Sequence, residues 1–153
     1  MIWFRIDNRL IHGQVIEAWL PYTRAKRLVV CNDELAGDML RQQIMLLAVP
    51  SRITVDFVSL DSLAASLKTR KPEEEKTLVL FADCADARKV YDAGVRFTSL
   101  NIGNVHYAPG KRQVCSHVAL SDADAACLRN LESLDVELDF RCVPNDAADV
   151  TDW

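Results

Sequence analysis

Short apolar runs alternate with one-sided helical patterns along almost the whole chain, and this alternation strongly constrains the fold. The runs are rich in β-branched or aromatic residues, as strands are, and cover residues 2–6, 27–31, 53–58, 77–82 and 98–102. Regular alternation of strand and helix favours a mainly parallel sheet with helices on both faces. The sequence therefore predicts an open α/β fold, organised as a single domain over residues 1–153.

The segments between these runs repeat apolar residues at the spacing of an amphipathic helix. Two such stripes consist of Leu60, Leu63, Ala64 and Leu67, and of Ala36, Leu40, Ile44 and Leu47. Asp83 stands where it would cap a further helix, and Ser121 with Asp124 resembles a capping box. Near the C-terminus, residues 136–143 alternate apolar with charged side chains. That period of two predicts a half-exposed antiparallel strand at one edge of the sheet.

Charge and hydropathy exclude several classes of protein. The chain has 18 Lys and Arg against 22 Asp and Glu, a net charge of −4, and no basic run. It therefore has no evident electrostatic reason to bind nucleic acid. No apolar stretch approaches the roughly 20 residues that span a bilayer. Because Arg5, Asp7 and Arg9 fall within the first ten residues, that segment is not a secretory signal, and we expect a cytoplasmic protein.

The five cysteines do not predict a metal centre. Their number is odd, and no two are separated by only two residues, as zinc ribbons and thioredoxin-type motifs require. Cys31, Cys84 and Cys127 lie at strand ends or on a helix stripe, so we expect small buried hydrophobes. Cys115 and His117 form a Cys/His cluster that is too sparse to bind a metal.

The junction after the first predicted strand concentrates reactive side chains. Arg5, Asp7, Arg9 and His12 all lie between the end of that strand and a helix that begins near His12. Ligands of open parallel sheets bind beyond the carboxyl ends of the strands. Two guanidinium groups beside a helix N-terminus would form an anion site suited to phosphate. The loop is neither GxGxxG nor a Walker A sequence, so it does not indicate a nucleotide.

His12 has two interpretations at this stage. It is either a hydrogen-bonded structural histidine that positions the loop, or a nucleophile that accepts a phosphoryl group. Cations nearby favour the neutral, nucleophilic imidazole and would offset the charge of a bound phosphoryl group. Asp7 would either orient the imidazole through its other N–H or pair with an arginine. The residues alone leave both pairs of alternatives open.

Four segments resemble one known family throughout the chain. RIDNRLIHGQV is similar to the phosphorylation-site segment of enzyme IIB in the mannose/fructose/sorbose family of the bacterial phosphoenolpyruvate-dependent sugar phosphotransferase system. The segments VVCNDELAGDMLRQQIMLLAVP, LFADCADARKVYDAGVRFTSLNIGNVHYAPGKRQV and LDVELDFRCVP resemble later parts of the same family, in the same order. The family's fold is an open, mainly parallel sheet flanked by helices, in agreement with the pattern above.

The resemblance implies a function. His12 would take phosphate from a phosphohistidine of enzyme IIA and pass it to a sugar delivered by the membrane subunits IIC and IID. The sugar would be a mannose-like or fructose-like hexose, phosphorylated at carbon six. Arg9 would hold the phosphoryl group, with Arg5 and Asp7 beside it in the same loop. Because the donor is a phosphoramidate, no metal and no nucleotide cofactor is needed, and IIC and IID would bring the protein to the inner face of the membrane.

Further positions match the family's motifs and are expected to support the phosphate loop. They are Gly13, Gln14, Asn32, Asn101 and Gly103. One departure is Asn8, where the family often has aspartate, so an acidic pair becomes Asp7-Asn8 here. His106 follows a turn and would lie at the rim of the site or on the surface, whereas His117 is expected to be structural.

Two other functions remain open from the sequence. In a regulatory phosphorelay protein, phospho-His12 would alter binding to a partner and no sugar would be modified. In a plain anion-binding module, His12 would only hydrogen-bond and would never form a covalent adduct. An open sheet edge near residues 136–143 would also allow a homo-oligomer.

Overall fold

The structure is a computed structural model that describes residues 1–69, 76–147, 150 and 153. Within this part of the chain, six strands form one parallel sheet in the order β3-β2-β4-β1-β5-β8, and two more strands, β6 and β7, form an antiparallel pair. The strands are β1 (Ile2–Asp7), β2 (Arg27–Cys31), β3 (Thr54–Val58), β4 (Thr77–Phe81), β5 (Ser99–Asn104), β6 (Arg112–Cys115), β7 (Val118–Leu120) and β8 (Glu137–Asp139).

Helical segments connect these strands. A π-helical turn at Val15–Trp19 leads into α1, and a 3₁₀ turn at Leu60–Ser62 leads into α4. The helices are α1 (Leu20–Thr23), α2 (Asp33–Ala36), α3 (Met39–Leu46), α4 (Leu63–Lys68), α5 (Cys84–Asp92) and α6 (Asp122–Ser133). No helix in the described ranges is both long and apolar enough to cross a membrane.

The sheet lies between two apolar cores, as the continuous apolar runs predict. β2 and β4 are internal strands, and all of their residues are buried. Because side chains of a strand alternate between faces, Leu28 and Val30 enter one core while Val29 and Cys31 enter the other. The π-helical turn, α1 and α2 cover the first face, and α4, α5 and α6 cover the second.

The topology creates a crevice at the carboxyl end of β1. β1 lies between β4 and β5. The helical segment that follows β1 packs on one face of the sheet, whereas α5, which follows β4, packs on the other. Helices that leave neighbouring strands on opposite faces open a space between them, where ligands of open α/β sheets bind.

The predicted helix starts are confirmed. The Asp83 side chain accepts a hydrogen bond from the Asp86 N–H and caps α5. Ser121 and Asp124 form a complete capping box at the start of α6, with reciprocal hydrogen bonds of 3.0 Å. These side chains satisfy backbone N–H groups that the first helical turn leaves unpaired.

The predicted antiparallel C-terminal strand is wrong in its direction and length. β8 pairs in parallel with β5, with Ser99 opposite Glu137. The chain returns across one face of the sheet through α6, and such a crossover brings the next strand back in the same direction. The alternation of polar and apolar residues correctly indicates an edge strand, but exposure carries no information about direction.

The apolar stripe of α3 faces solvent rather than the core. Leu40 and Leu47 are 72% and 86% exposed, and Ile44 is also exposed. The half-buried side of this segment consists instead of Gln42, Met45, Leu46 and Val49. This second set has the same helical spacing, so the pattern predicts the helix but not which side packs.

Two of the cysteines differ from the expectation of unpaired buried hydrophobes. A disulfide joins Cys84, at the start of α5, to Cys127 on α6, and the two helices pack side by side. The two residues are 43 positions apart, so only the tertiary fold brings them together. Cys31 is free and buried, as expected.

The C-terminal segment contacts the body of the protein through Trp153. The Trp153 ring lies 5.6 Å from that of Phe140, and the Arg129 guanidinium lies over it. Residues 70–76 have the sequence RKPEEEK, a charged run that predicts a solvated loop, and all of them except Lys76 lie outside the described residues.

Candidate functional site

The site is built on the last residues of β1. Arg5 and Asp7 are two positions apart on a strand, so both side chains point to the same face. Each is fully buried. The Arg5 guanidinium donates from Nη2 and Nε to Asp7 Oδ2, at 2.9 and 3.3 Å. A buried carboxylate and a buried guanidinium thus compensate each other's charge.

A tight turn after β1 returns the chain to Asp7. Asp7 Oδ1 accepts a hydrogen bond from the Arg9 N–H at 3.0 Å, an Asx-turn arrangement. The Asp7 carbonyl accepts from the Leu10 N–H, and Leu10 has a positive φ of 58°. The buried side chains of Leu10 and Ile11 fix this turn against the core beneath it. The turn leaves the Arg9 side chain exposed at its tip.

The turn places the imidazole of His12 against the Asp7 carboxylate. The His12 side chain is 5% exposed, and its Nε2 lies 2.7 Å from Asp7 Oδ2. An ionised carboxylate can only accept, so Nε2 carries the proton of this hydrogen bond. Nδ1 is buried and has no hydrogen-bond partner among the described residues. The neutral ring therefore keeps its lone pair on Nδ1.

Asp7 is the centre of the polar network. Its Oδ2 accepts from the side chains of Arg5, His12 and Asn104. Burial alone would raise the pKa of Asp7, but the hydrogen bonds from His12 and Asn104 and the charge of Arg5 outweigh it and lower the pKa below its ordinary value. Asp7 is thus an ionised acceptor at neutral pH. The sequence left open whether Asp7 orients the imidazole or pairs with an arginine, and in the structure its Oδ2 does both.

The structure changes the expected place of Arg5. Its Nη1 donates to Asn101 Oδ1 at 2.5 Å and to the Arg141 carbonyl at 3.5 Å, while Nε and Nη2 donate to Asp7. The guanidinium is fully buried and committed to these partners. It therefore lies beneath Asp7, whereas the sequence suggested that it would face a phosphoryl group. The reason is that a strand residue two positions before Asp7 lies deeper in the sheet.

Asn101 and Gly103, two of the positions expected to support the phosphate loop, both contact Arg5 in this network. Asn101 Oδ1 accepts a hydrogen bond from Arg5 Nη1, and Asn101 Nδ2 donates to the carbonyl oxygens of Asp139 and Arg141. Gly103 lies directly against the guanidinium, and a Cβ at this position would overlap its atoms. The missing side chain of Gly103 is what leaves room for Arg5.

The remaining predicted positions are near or outside this network. Gln14 Oε1 accepts from Asn104 Nδ2 at 2.9 Å. Gly13 is exposed, and a Cβ there would meet nothing within 4 Å. Asn32 caps α2 by accepting from the Leu35 N–H at 2.9 Å, so its side chain serves a helix start after β2.

Sequence reasoning missed Asn104. β5 has a register shift opposite the end of β1: Ile6 faces Ile102, but Asp7 faces Asn104. The irregularity skips Gly103, as a bulge does, and brings the Asn104 amide beside Asp7. A bulge has no reliable sequence signal, although a glycine directly after the predicted strand 98–102 is a hint.

Asn8 joins the ends of three strands. Its Nδ2 donates to the Ala82 carbonyl at 2.9 Å, its Oδ1 accepts from the His106 N–H at 2.5 Å, and its own N–H donates to the Asn104 carbonyl. An aspartate could not donate to Ala82, so the amide fits this position. The contact also places the His106 backbone at the rim of the site.

The segment after β8 closes the site from the side. Trp19 Nε1 donates to the Cys142 carbonyl at 2.7 Å, and the Arg5 guanidinium lies 4.9 Å from the centroid of the Trp19 ring. Ligand atoms of His117, Cys142 and Asp146 lie within 4.8 Å of one another. His117 Nε2 contacts the Phe140 carbonyl, and Asp146 accepts from two backbone N–H groups, so these side chains hold the segment in place.

The fold and the site together define a class of protein. A parallel sheet presents an oriented imidazole at the carboxyl end of an internal strand, with an exposed arginine on the same turn. This arrangement differs from nucleotide-binding α/β proteins, which use glycine-rich loops at the same place. It is the arrangement of an α/β protein whose chemistry centres on histidine.

Comparison with known proteins identifies the family. A sequence model described as the PTS system sorbose subfamily IIB component matches residues 1–152, and the chain belongs to this family. Such components are sugar phosphotransferases that act in phosphoryl transfer during sugar uptake. The resemblance seen in the sequence is therefore confirmed.

Relatives of several sugar specificities are similar to the chain. The sorbose-specific EIIB component of Klebsiella pneumoniae is 36% identical over 142 residues, which are 93% of this chain and 87% of that protein. The mannose-specific EIIAB component of Escherichia coli K12 is 32% identical over 142 residues, 93% of this chain but 44% of that longer protein.

Solved structures agree with the fold. The IIBSor domain of the sorbose permease from Klebsiella pneumoniae has a TM-score of 0.86 at 35% identity, over 98% of this chain and 93% of that one. The N-acetylgalactosamine-specific IIB component 1 from Escherichia coli has a TM-score of 0.90 at 30% identity, over 96% and 97%. The expectation of an α/β fold with a mainly parallel sheet is confirmed.

Proposed function

We propose that His12 is the phosphoryl-carrying residue of this IIB component and that Nδ1 is the atom that carries the group. The observation behind the proposal is the unequal surroundings of the two ring nitrogens. Nε2 is held by Asp7 at 2.7 Å, and Nδ1 has no partner among the described residues. A neutral imidazole with a fixed proton on one nitrogen is a nucleophile at the other.

The donor is a phosphohistidine of an enzyme IIA partner. Once docking of IIA exposes Nδ1, which is buried in the free protein, its lone pair attacks phosphorus in line, and the phosphorus–nitrogen bond of the donor breaks with its electron pair returning to the donor ring. The Nε2 proton stays on His12, and positive charge develops on the ring. Asp7 stabilises that charge through its hydrogen bond, as a carboxylate beside a catalytic histidine does.

The two arginines have different roles in this scheme. Arg5 keeps the Asp7 carboxylate ionised and oriented from below, since its donors all reach Asp7, Asn101 or Arg141. Arg9 is exposed on the turn between Asp7 and His12, where its guanidinium is free to contact the oxygens of an incoming phosphoryl group. Guanidinium groups bind such oxygens in a bidentate way.

The acceptor is a hexose hydroxyl, delivered through the membrane subunits IIC and IID. The phosphoryl group passes from His12 Nδ1 to the sugar oxygen, the electron pair of the broken bond returns to Nδ1, and the hydroxyl proton is released to water. The protein would act as one domain in the cytoplasm, at the membrane face through IIC and IID. The relatives are named for sorbose, mannose, fructose or N-acetylgalactosamine, so the proposal extends to the class of sugar and not to one member.

The test is phosphoryl transfer from a phosphorylated IIA protein of this family, measured by intact mass under alkaline conditions that preserve phosphohistidine. We expect one acid-labile phosphoryl group on the wild type and none on His12→Ala. Asn130→Ala is the control, because Asn130 is exposed on α6 and this variant should accept the group normally.

Two results would contradict the proposal. An adduct that persists in His12→Ala would move the phosphoryl group to another residue. Reversible phosphate binding with no adduct from any competent IIA would indicate the plain anion-binding module instead.

Arg9→Ala should still accept the group, but about a hundredfold more slowly, because it loses charge stabilisation in the transition state.

A further inference from the structure

Asn104 uses its whole amide on the polar network of the site. It is 8% exposed, at the carboxyl end of β5. One amide hydrogen goes to Asp7 Oδ2 and the other to Gln14 Oε1, and each distance from Nδ2 is 2.9 Å. Both partners are acceptors, so the amide must present its nitrogen to them.

The Cys142 thiol, with its single hydrogen, lies beside both Asn104 and Gln14, and the nearer oxygen is that of Gln14. Asn104 Oδ1 lies 3.7 Å from Cys142 Sγ, and the same sulfur lies 3.3 Å from Gln14 Oε1. Burial raises the pKa of the Cys142 thiol, which therefore stays protonated at neutral pH and can donate. Gln14 Oε1 thus receives hydrogen bonds from two sides, and the three side chains restrain one another.

Through these contacts Asn104 reaches His12 along two routes without touching it. Asp7 Oδ2, which Asn104 contacts, is the acceptor for His12 Nε2. Gln14 is two residues after His12, at the start of the helical segment, and Asn104 ties it to the strand end. One neutral amide therefore sets both the hydrogen-bond geometry of the carboxylate and the position of the backbone that carries the imidazole.

We propose that Asn104 is a positioning residue that keeps the proton of His12 on Nε2 and the lone pair on Nδ1. The proposal rests on the proposed function of His12. Asn104 does this by adding a fixed donor to Asp7 Oδ2 beside that of Arg5. With these donors in place, the Asp7 carboxylate is held in one orientation, in which Oδ2 accepts the proton of His12 Nε2.

The residue type fits the role. A carboxylate at this position would face Asp7 with like charge and would offer Gln14 no hydrogen. A serine hydroxyl has one hydrogen and could not serve Asp7 and Gln14 together. A second cation beside Arg5 would reverse the charge balance around Asp7. A short neutral group with two hydrogens is what the two acceptors require.

The test measures the tautomer of His12 in the free protein, by long-range ¹H–¹⁵N correlation of the histidine rings at mildly alkaline pH, where free imidazole is neutral. The His12 signals are assigned by their loss in His12→Ala. We expect the wild type to show one tautomer, with the proton on Nε2. Asn104→Asp and Asn104→Ala should show mixed tautomers, and phosphoryl acceptance should slow by about ten- to a hundredfold, the usual cost of a misplaced reacting group.

Asn130→Asp and Asn130→Ala are the matched controls, since Asn130 is an exposed asparagine on α6. Both controls should keep the wild-type tautomer and rate. If Asn104→Asp fails to fold, Asn104→Ala carries the test, with folding checked by circular dichroism. A His12 spectrum in Asn104→Ala that matches the wild type would overturn the proposal.

The tautomer is read without any donor protein, which separates the two proposals. If His12 accepts no phosphoryl group but Asn104→Ala still mixes its tautomers, the proposed function fails and the positioning role stands. If transfer occurs at the wild-type rate in a folded Asn104→Ala, the positioning role fails and the proposed function stands.

Discussion

His12 Nε2 and Asp7 Oδ2 are 2.7 Å apart inside the fold, and this contact decides which nitrogen of the neutral ring keeps its lone pair. The carboxylate is itself held by the fully buried Arg5. A turn of only four residues separates the two side chains, so the strand end and the turn together produce the orientation. The following predictions test what this arrangement does.

Replacing the Asp7 carboxylate by its amide should slow phosphoryl transfer and also destabilise the fold, because the buried Arg5 loses its counter-charge. The rate is therefore compared under conditions where circular dichroism shows Asp7→Asn to be folded. In Asp7→Asn the group at position 7 can present a hydrogen to Nε2, so the ring proton no longer has a defined place. We expect phosphoryl acceptance to fall by about a hundredfold or more. Stopped-flow or quenched-flow transfer from phosphorylated IIA measures this rate. A rate within twofold of the wild type would show that Asp7 does not orient His12.

Gly103→Ala should displace Arg5 from Asp7. A Cβ at this position overlaps the guanidinium, and that group is buried among fixed partners. Breaking a buried ion pair costs about 3–5 kcal/mol of unfolding free energy. Urea unfolding measures the loss. Gly13→Ala is the matched control: its Cβ would enter open space, so its effect should stay within about 0.5 kcal/mol. Equal stabilities of the two variants would contradict the packing described.

Asn8→Asp should weaken the connection between strand ends in a pH-dependent way. The introduced carboxylate cannot donate to the Ala82 carbonyl, and we expect a loss of about 1 kcal/mol at neutral pH for this exposed hydrogen bond. Protonation restores a donor, so the loss should shrink below about pH 4. Asn130→Asp on the surface of α6 is the control for added charge and should change stability little. A loss that does not vary with pH would contradict the assignment.

Asp86 should destabilise the folded protein at neutral pH. Burial, with Asp83 and Asp33 nearby, raises its pKa to about 6, above the value of about 3.9 in an unfolded chain. As the pH falls, the folded state therefore binds a proton on Asp86 at a higher pH than the unfolded state does. The loss of folding stability caused by ionised Asp86 is present above pH 6 and disappears towards pH 4. We expect Asp86→Asn to stabilise the protein by about 1 kcal/mol at pH 7.5, after allowance for partial exposure.

The pH dependence is the decisive part of that prediction. The stability gained in Asp86→Asn should fade between about pH 6 and pH 4. Urea unfolding across that range measures this change. Asp122→Asn is the control, because Asp122 is an exposed acid in the first turn of α6. It should show no gain at pH 7.5, since acids favour a helix N-terminus. A loss of stability in Asp86→Asn at pH 7.5 would contradict the account.

Local sequence patterns predict most of the fold because they record burial. Continuous apolar runs such as Arg27–Cys31 become central strands, and Asp83 and Ser121 cap the helices they precede. The direction of β8 is not predictable in this way, because its alternation reports exposure alone. α3 presents two equally one-sided sets of residues, and only packing against the sheet selects between them.

The residues of the site likewise differ in whether local sequence or only the tertiary fold reveals them. Arg5, Asp7, Arg9 and His12 are recognisable because they are close in sequence after one strand. Asn104 and Cys142 come from distant parts of the chain and meet them only through strand order and an irregularity at Gly103. The burial of Arg5 under Asp7 likewise depends on which side of the strand faces the core. Spacing identifies the chemistry of the loop but not the partners that orient it.

The most direct measurement of the central claim is the position of the phosphoryl group on the His12 ring. Protein labelled with ¹⁵N-histidine is phosphorylated by IIA, and long-range ¹H–¹⁵N correlation spectra, with ³¹P coupling, assign the modified nitrogen. Because Nδ1 has no hydrogen-bond partner in the described part of the chain, we predict phosphorylation at Nδ1, with the proton still on Nε2 beside Asp7. A phosphoryl group on Nε2 would require the Asp7–His12 hydrogen bond to break, and it would contradict the account.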